Sequence, residues 1–145
     1  MARLIYLLDT NILSEPAKLQ PNLQVLKKLQ EYNSYYATSV TVWQELNFGC
    51  NRLPISKLRT RLESYLEILL ENKLTILPFE KQAAEWMAIE RSRLMKQGIT
   101  PAYADTEIAS VAVVNQLILV TRNVKDFTYF TNLSIENWFE MNESQ

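Results

Sequence analysis

The strongest constraint on this chain is a set of short, largely apolar runs, each cut off by a polar or turn-forming residue. Residues 3–8 (RLIYLL) stop at Asp9, 35–37 (YYA) lead into Thr38 and Ser39, 74–77 (LTIL) close at Pro78, and 117–120 (LILV) stop at Thr121. A further short run at 133–135 has the character of an edge strand. Nearly continuous apolar runs of this length suit strands buried on both faces of a parallel sheet. Between them, residues 10–15, 22–31, 39–49, 56–72, 80–97 and 103–115 read as helices, most with apolar residues at helical spacing. Parallel strands need crossovers of this kind. The pattern therefore predicts an α/β fold, a three-layer sandwich with a mainly parallel central sheet flanked by helices. The punctuation agrees: Pro16 ends the first helix, Ser39 is placed to N-cap the third, and Gly98 follows the helix at 80–97 as its C′ residue. No repeat, linker or low-complexity segment interrupts the chain, so residues 1–145 are expected to form one domain.

Composition narrows the chemistry. The chain has no histidine, which excludes imidazole bases, Ser-His-Asp triads and His-ligated zinc. The single cysteine, Cys50, permits no internal disulfide, Cys-rich zinc site or ordinary iron–sulfur cluster. Glycines at 49 and 98 alone exclude a P-loop and a Rossmann fingerprint. Carboxylates, hydroxyls, amides, Lys, Arg and Tyr remain, and oxygen donors select hard cations such as Mg²⁺ or Mn²⁺. Fifteen basic residues balance sixteen acidic ones, so no polybasic segment advertises nucleic acid, although a local basic rim is compatible with a net charge of −1. No apolar stretch approaches 18 residues and the first apolar run reads as a strand. A cytoplasmic protein without membrane contact is expected.

The acids are unevenly used. Only three of the sixteen are aspartates, and each falls at an informative place. Asp9 follows the first strand, Asp105 lies in the first turn of the helix at 103–115, and Asp126 follows the strand at 117–120. Ligands in open α/β sheets bind outside the carboxyl ends of strands, where Asp9 and Asp126 stand. Each also has an ordinary structural reading: Asp9 as a helix cap, Asp105 as a favourable charge at a helix N-terminus, Asp126 as a turn residue. Two neighbours shift the balance. The run Ile108-Ala-Ser-Val-Ala-Val-Val114 is apolar nearly all round, which buries the helix and brings Asp105 to the edge of the core. Glu45 shares its helix face with Thr41 and Gly49, an uncluttered surface unlike that of a solvated helix Glu. If Asp9, Glu45, Asp105 and Asp126 converge, each like-charge pair at about 5 Å costs roughly 3 kcal/mol at an effective dielectric near 20. A divalent cation relieves that repulsion, and carboxylate-held Mg²⁺ chiefly serves phosphate-ester chemistry.

Four segments together resemble a known family. Leu7-Leu-Asp-Thr-Asn-Ile-Leu-Ser14, Ser39-Val-Thr-Val-Trp-Gln-Glu-Leu-Asn-Phe-Gly49, Gly98-Ile-Thr-Pro-Ala-Tyr-Ala-Asp-Thr-Glu-Ile-Ala109 and Leu119-Val-Thr-Arg-Asn-Val-Lys-Asp-Phe127 are similar, in order and spacing, to the motifs of PIN-domain nucleases. In size the chain resembles the VapC-type toxins of type II toxin–antitoxin pairs. The resemblance implies a Mg²⁺-dependent (or Mn²⁺-dependent) endoribonuclease that hydrolyses RNA phosphodiesters, is inhibited by a small cognate antitoxin, and forms a homodimer. By position, Asp9, Glu45 and Asp105 are the family's first three acids. The fourth is either Asn123, where some members have the last Asp, or Asp126, which others retain. Asp9 and Asp105 are then direct metal ligands, with Glu45 and Asp126 holding waters or a second ion. Asn11, Thr121 and Asn123 orient them, and Arg122 and Lys125, which flank the fourth motif, stand either as contacts to RNA phosphates or as cations of a solvated loop. Arg52, Arg91 and Arg93 are further cationic candidates.

Three alternatives bound this reading. A haloacid-dehalogenase-type phosphatase also starts from an Asp after its first strand but needs a second Asp two residues on, where this chain has Asn11. A catalytically inactive PIN-like binding module would use the same acids as caps. A solitary RNA-processing nuclease would lack the antitoxin.

Overall fold

The computed structural model describes residues 3–140. Five strands form one sheet: β1 (Tyr6–Leu8), β2 (Tyr36–Ser39), β3 (Thr75–Leu77), β4 (Ile118–Val120) and β5 (Ile135–Glu136). The helices are α1 (Thr10–Leu13), α2 (Leu23–Glu31), α3 (Val40–Asn51), α4 (Lys57–Glu71), α5 (Lys81–Lys96) and α6 (Tyr103–Val114), with short 3-10 turns at Glu15–Ala17 and Val124–Asp126. The strand order is β3-β2-β1-β4-β5, and all four pairings are parallel. The expectation of a mainly parallel sheet flanked by helices is met, with every pair parallel. The chain winds outward from β1 through β2 to β3, then returns to the other side for β4 and β5. The reversal falls between β1 and β4, where such sheets leave a crevice at their carboxyl ends.

The apolar runs account for the centre. Leu7 and Leu8 of β1, Leu119 and Val120 of β4, and Ile108, Ala109, Val111 and Ala112 of α6 are fully buried. The all-round apolar stretch of α6 is thus explained by burial of residues 108–112 on every side rather than along one stripe. Helix ends follow their sequence signals. Ser39 accepts from the Val42 N–H at 3.2 Å, and Asn22 and Ser56 cap α2 and α4 in the same way. After α5, Gly98 adopts φ +80°, while Ile99 N–H bonds to Leu94 O and Gly98 N–H to Met95 O, a Schellman ending.

Several boundaries differ from the sequence expectation; the last strand, expected at 133–135, is Ile135–Glu136. The first strand is confined to Tyr6–Leu8 rather than 3–8. The second runs to Ser39 rather than stopping at 37, because Thr38 is buried and donates its hydroxyl to Leu8 O at 2.8 Å. Strand β2 therefore feeds α3 with no intervening loop. The first helix ends at Leu13, and Pro16 sits in the following 3-10 turn, where its missing N–H is harmless.

Candidate active site

The carboxyl ends of β1 and β4 meet at the reversal of strand order, and the site is built outward from that seam. Asp9 is the residue after β1 and is buried. Its N–H donates to Val120 O at 2.9 Å, extending the β1–β4 pairing by one bond. Its carboxylate caps α1, as a structural reading of the sequence expects, with Oδ1 accepting from Thr10 N–H at 2.8 Å. The other oxygen accepts from the Thr121 hydroxyl at 2.7 Å and the Asn11 amide at 3.3 Å. Burial raises the Asp9 pKa. The hydrogen bonds from Thr121, Thr10 and Asn11 oppose that rise, and the charge of Asp126 adds to it. Capping and site-building are therefore one role: the bonds that start α1 aim Asp9 along the seam.

Thr121 ties the seam together. It is fully buried, donates to Asp9, and accepts from the Asn123 N–H at 3.0 Å. Asn11 adds a second tie, its side-chain oxygen accepting from the Arg122 N–H at 2.9 Å. The remaining acids arrive on helices clamped to this frame. Glu45 on α3 accepts from the Thr10 hydroxyl at 2.6 Å, joining α3 to α1. One turn earlier, Thr41 donates to Glu107 at 3.1 Å and joins α3 to α6. Asp105 is half-buried in the first turn of α6. Its pKa is pushed up to about 6 by burial and then by the charges of Asp9, Asp126 and Glu45. Asp126, exposed at the end of the Val124–Asp126 turn, bears on both Asp9 and Asp105.

All four acids singled out from the sequence thus share one electrostatic neighbourhood. Among the described residues, however, no three of them meet at a single coordination point. The four are coupled through charge instead: burial and then their repulsion raise the pKa values of Asp9 and Asp105, and a bound cation would relieve that repulsion. An all-oxygen donor set, with no histidine in the chain and Cys50 buried elsewhere, fits Mg²⁺ or Mn²⁺ and not zinc.

Between the two candidates for the fourth position, Asp126 is the one whose charge reaches Asp9 and Asp105. Asn123 is exposed and contributes its backbone N–H to Thr121. Lys125 is exposed in the same turn, and Arg122 lies over the Phe139 ring. Of the more distant cations, Arg93 is already committed. It bonds the buried Glu90 twice at 3.0 Å and Tyr129 O at 2.8 Å, so it is not a free phosphate contact. Arg91 lies over Tyr103, and Arg52 lies over Phe48.

Sequence reasoning missed Thr10, Glu107 and Tyr129. Tyr129 has its pKa raised by burial and then by the charges of Asp105 and Asp126, so it lies within electrostatic reach of both acids. Thr10 had a signal, since it adjoins Asp9 and opens α1. Tyr129 had none, because its approach depends on Arg93 and on Glu90 accepting the Thr131 N–H at 2.8 Å.

Comparison with known proteins adds to this geometry. Residues 6–130 match the PIN domain. Ribonuclease VapC2 of Rickettsia felis is 34% identical over 140 residues, covering 93% of this chain and 98% of the relative. Toxin FitB of Neisseria gonorrhoeae is 35% identical over 127 residues, covering 83% and 89%. The crystal structure of VapBC2 from Rickettsia felis, bound to a DNA fragment from its promoter, contains a chain similar to this one. The TM-score is 0.80 at 31% identity, covering 93% of this chain and 99% of that one.

Proposed function

The chain belongs to the PIN-domain family, among relatives named VapC, and from that premise we propose that it is a metal-dependent endoribonuclease acting as the toxin of a toxin–antitoxin pair. The observation that carries the catalytic half of the proposal is the state of Asp105. Burial and then the charges of Asp9, Asp126 and Glu45 push its pKa up to about 6, so the four acids lie within electrostatic reach of one another at the carboxyl ends of the strands. Asp9 and Asp105 would hold the ion, with Glu45 and Asp126 on the periphery of the same oxygen cluster. A bound Mg²⁺ or Mn²⁺ supplies a nucleophilic water at neutral pH and neutralises charge on the phosphate under attack.

The chain's own residues do the rest. Thr10 N–H, Thr121 and Asn11 fix the Asp9 carboxylate in one orientation. The Thr10 hydroxyl holds Glu45, and the Thr41–Glu107 bond keeps α3 and α6 in register so that Glu45 and Asp105 approach together. Such supporting bonds commonly change metal affinity or activity by 10–100-fold when removed. No side chain is needed as an imidazole base, which agrees with a chain that has none.

The antitoxin half rests on the VapBC complex among the similar structures and on an open apolar surface beside the Glu15–Ala17 turn. A groove of about 360 Å³ runs between the Glu15–Ala17 turn and α4. It is lined in part by Pro16, Ala17, Tyr65 and Ile68, with exposed Leu19 on its wall. A small protein laid there would lie against the Glu15–Ala17 turn that follows α1. The test is cleavage of RNA by the purified protein. Activity with Mg²⁺ or Mn²⁺, its loss in EDTA, and its loss in folded Asp9→Asn and Asp105→Asn are expected. Full activity in either variant contradicts the site. Co-expression with the product of an adjacent short gene should suppress the activity, and a chain with no such neighbour is a solitary nuclease.

A further inference from the structure

At the outlet of β4, one residue past Thr121, the chain carries a cation held by an aromatic ring instead of by an acid. Arg122 follows Thr121 directly, and its N–H donates to the Asn11 oxygen at 2.9 Å. Its backbone is thus fixed to two of the residues that orient Asp9. Its guanidinium carbon lies 4.3 Å from the centre of the Phe139 ring. Among the described residues it enters no salt bridge, although its charge is felt by the buried Glu15.

The sheet delivers the ring. Strand β5 pairs with β4 so that Glu136 lies opposite Val120, and Thr121 N–H continues the ladder to Glu136 O at 3.0 Å. Beyond it, Trp138 is buried against Tyr6 and Tyr32, and Phe139 N–H is held by the Asn137 side chain at 2.9 Å. The last strand therefore fixes Phe139 three residues past the point where β5 meets the site, facing Arg122.

We infer that Arg122, stacked on Phe139, is a preorganised arm that grips an RNA phosphate beside the four-acid site, with Phe139 as its positioning residue. The inference rests on the ribonuclease reading above. A guanidinium stacked on a ring keeps its planar fork of N–H donors available, whereas a carboxylate partner would occupy them. Stacking also removes side-chain freedom in advance, so less is lost on binding. An acid cluster repels a polyanion, and a fixed cation at its edge supplies the attraction that brings the backbone in.

The experiment combines fluorescence anisotropy of a labelled single-stranded oligoribonucleotide in EDTA with steady-state cleavage in Mn²⁺. Phe139→Leu keeps the apolar packing and removes the π face. It should weaken RNA binding and raise KM by about 2–5-fold, the range expected of an exposed cation–π pair, with kcat and Tm nearly unchanged. Phe139→Tyr should restore both values. Arg122→Ala should weaken binding by about tenfold and make the log–log salt dependence shallower by about 0.7, as for one phosphate contact on a single strand. Adding Phe139→Leu to Arg122→Ala should cost nothing further. Unchanged affinity and KM in both single variants, with an active wild type, overturn the arm and leave the ribonuclease reading standing. A fall in Tm and kcat alone, not rescued by Tyr, overturns it in favour of simple packing. A wild type that neither binds nor cleaves RNA overturns the ribonuclease reading itself, and the arm with it.

Discussion

Replacing Asp105 by Asn should stabilise the metal-free protein while destroying its capacity to be stabilised by metal. The Asp105 carboxyl is pushed from its ordinary value of 3.8 up to about 6 by burial and by Asp9, Asp126 and Glu45. A tenfold change in proton affinity is worth about 1.4 kcal/mol, so the full shift corresponds to about 3 kcal/mol of folded-state destabilisation. Because the side chain is half-exposed, solvent screening reduces that to about 1–2 kcal/mol. The sign follows from linkage. The folded state binds the Asp105 proton more tightly than the unfolded state, so stability falls as pH rises from about 4 through 6 and stays low above it. Asn carries no such charge. Thermal unfolding in EDTA at pH 7.5 should therefore show Asp105→Asn melting about 2–6 °C above wild type, with the gap closing as pH falls to 4. Adding millimolar Mn²⁺ at pH 7.5 should raise the wild-type Tm and leave the variant nearly unmoved. An Asp105→Asn protein that is less stable than wild type in EDTA, or equally stabilised by Mn²⁺, would refute the reasoning. It would show that Asp105 is held by contacts other than repelling carboxylates.

Other perturbations probe the frame around the acids. Thr121→Val removes a buried hydroxyl that both donates to Asp9 and accepts from Asn123 N–H, and should cost about 1–3 kcal/mol in urea unfolding together with 10–100-fold in RNA cleavage. Glu90→Ala removes a buried carboxylate that accepts from Arg93 and the Thr131 N–H, and should cost about 1–3 kcal/mol by the same assay. Burial alone would raise the Glu90 pKa, but the bonds from Arg93 and Thr131 outweigh it and leave the value lowered. The Glu90 contribution is therefore present above the ordinary carboxylate range and lost as pH falls through its lowered value, a slope that the Ala variant should lack in urea unfolding below pH 5. Leu119→Ala, in the fully buried centre of β4, should cost about 2–5 kcal/mol, read as a lower urea midpoint with an unchanged m-value.

Most of the architecture was legible because burial writes itself into period. The two-faced strands β1 and β4 read as apolar runs, and α6 read as apolar all round because it is enclosed. The boundaries that slipped did so where polar residues are buried. Thr38 and Ser39 look like turn residues until Leu8 O and the Val42 N–H are found as their partners. The acids were legible through their rarity and position: Asp9 and Asp126 stand past strand ends, Asp105 before an enclosed helix, and Glu45 on a small-residue face. Thr10 had a signal in adjoining Asp9, but the Thr41–Glu107 bond had none, because a hydroxyl–carboxylate bond between helices leaves no periodic trace. Arg93 shows the reverse case. A cation near the site in sequence order is occupied structurally, by a carboxylate three residues away and a carbonyl thirty-six residues on.

The central claim is that Asp9, Glu45, Asp105 and Asp126 form one carboxylate site that takes a divalent ion. Its most direct test is a Mn²⁺ titration followed by electron paramagnetic resonance of the free ion, in wild type, Asp9→Asn and Asp105→Asn. The account predicts saturable binding to the wild-type protein, and loss of that binding in both folded variants. Equal Mn²⁺ binding by wild type and the two variants would contradict it.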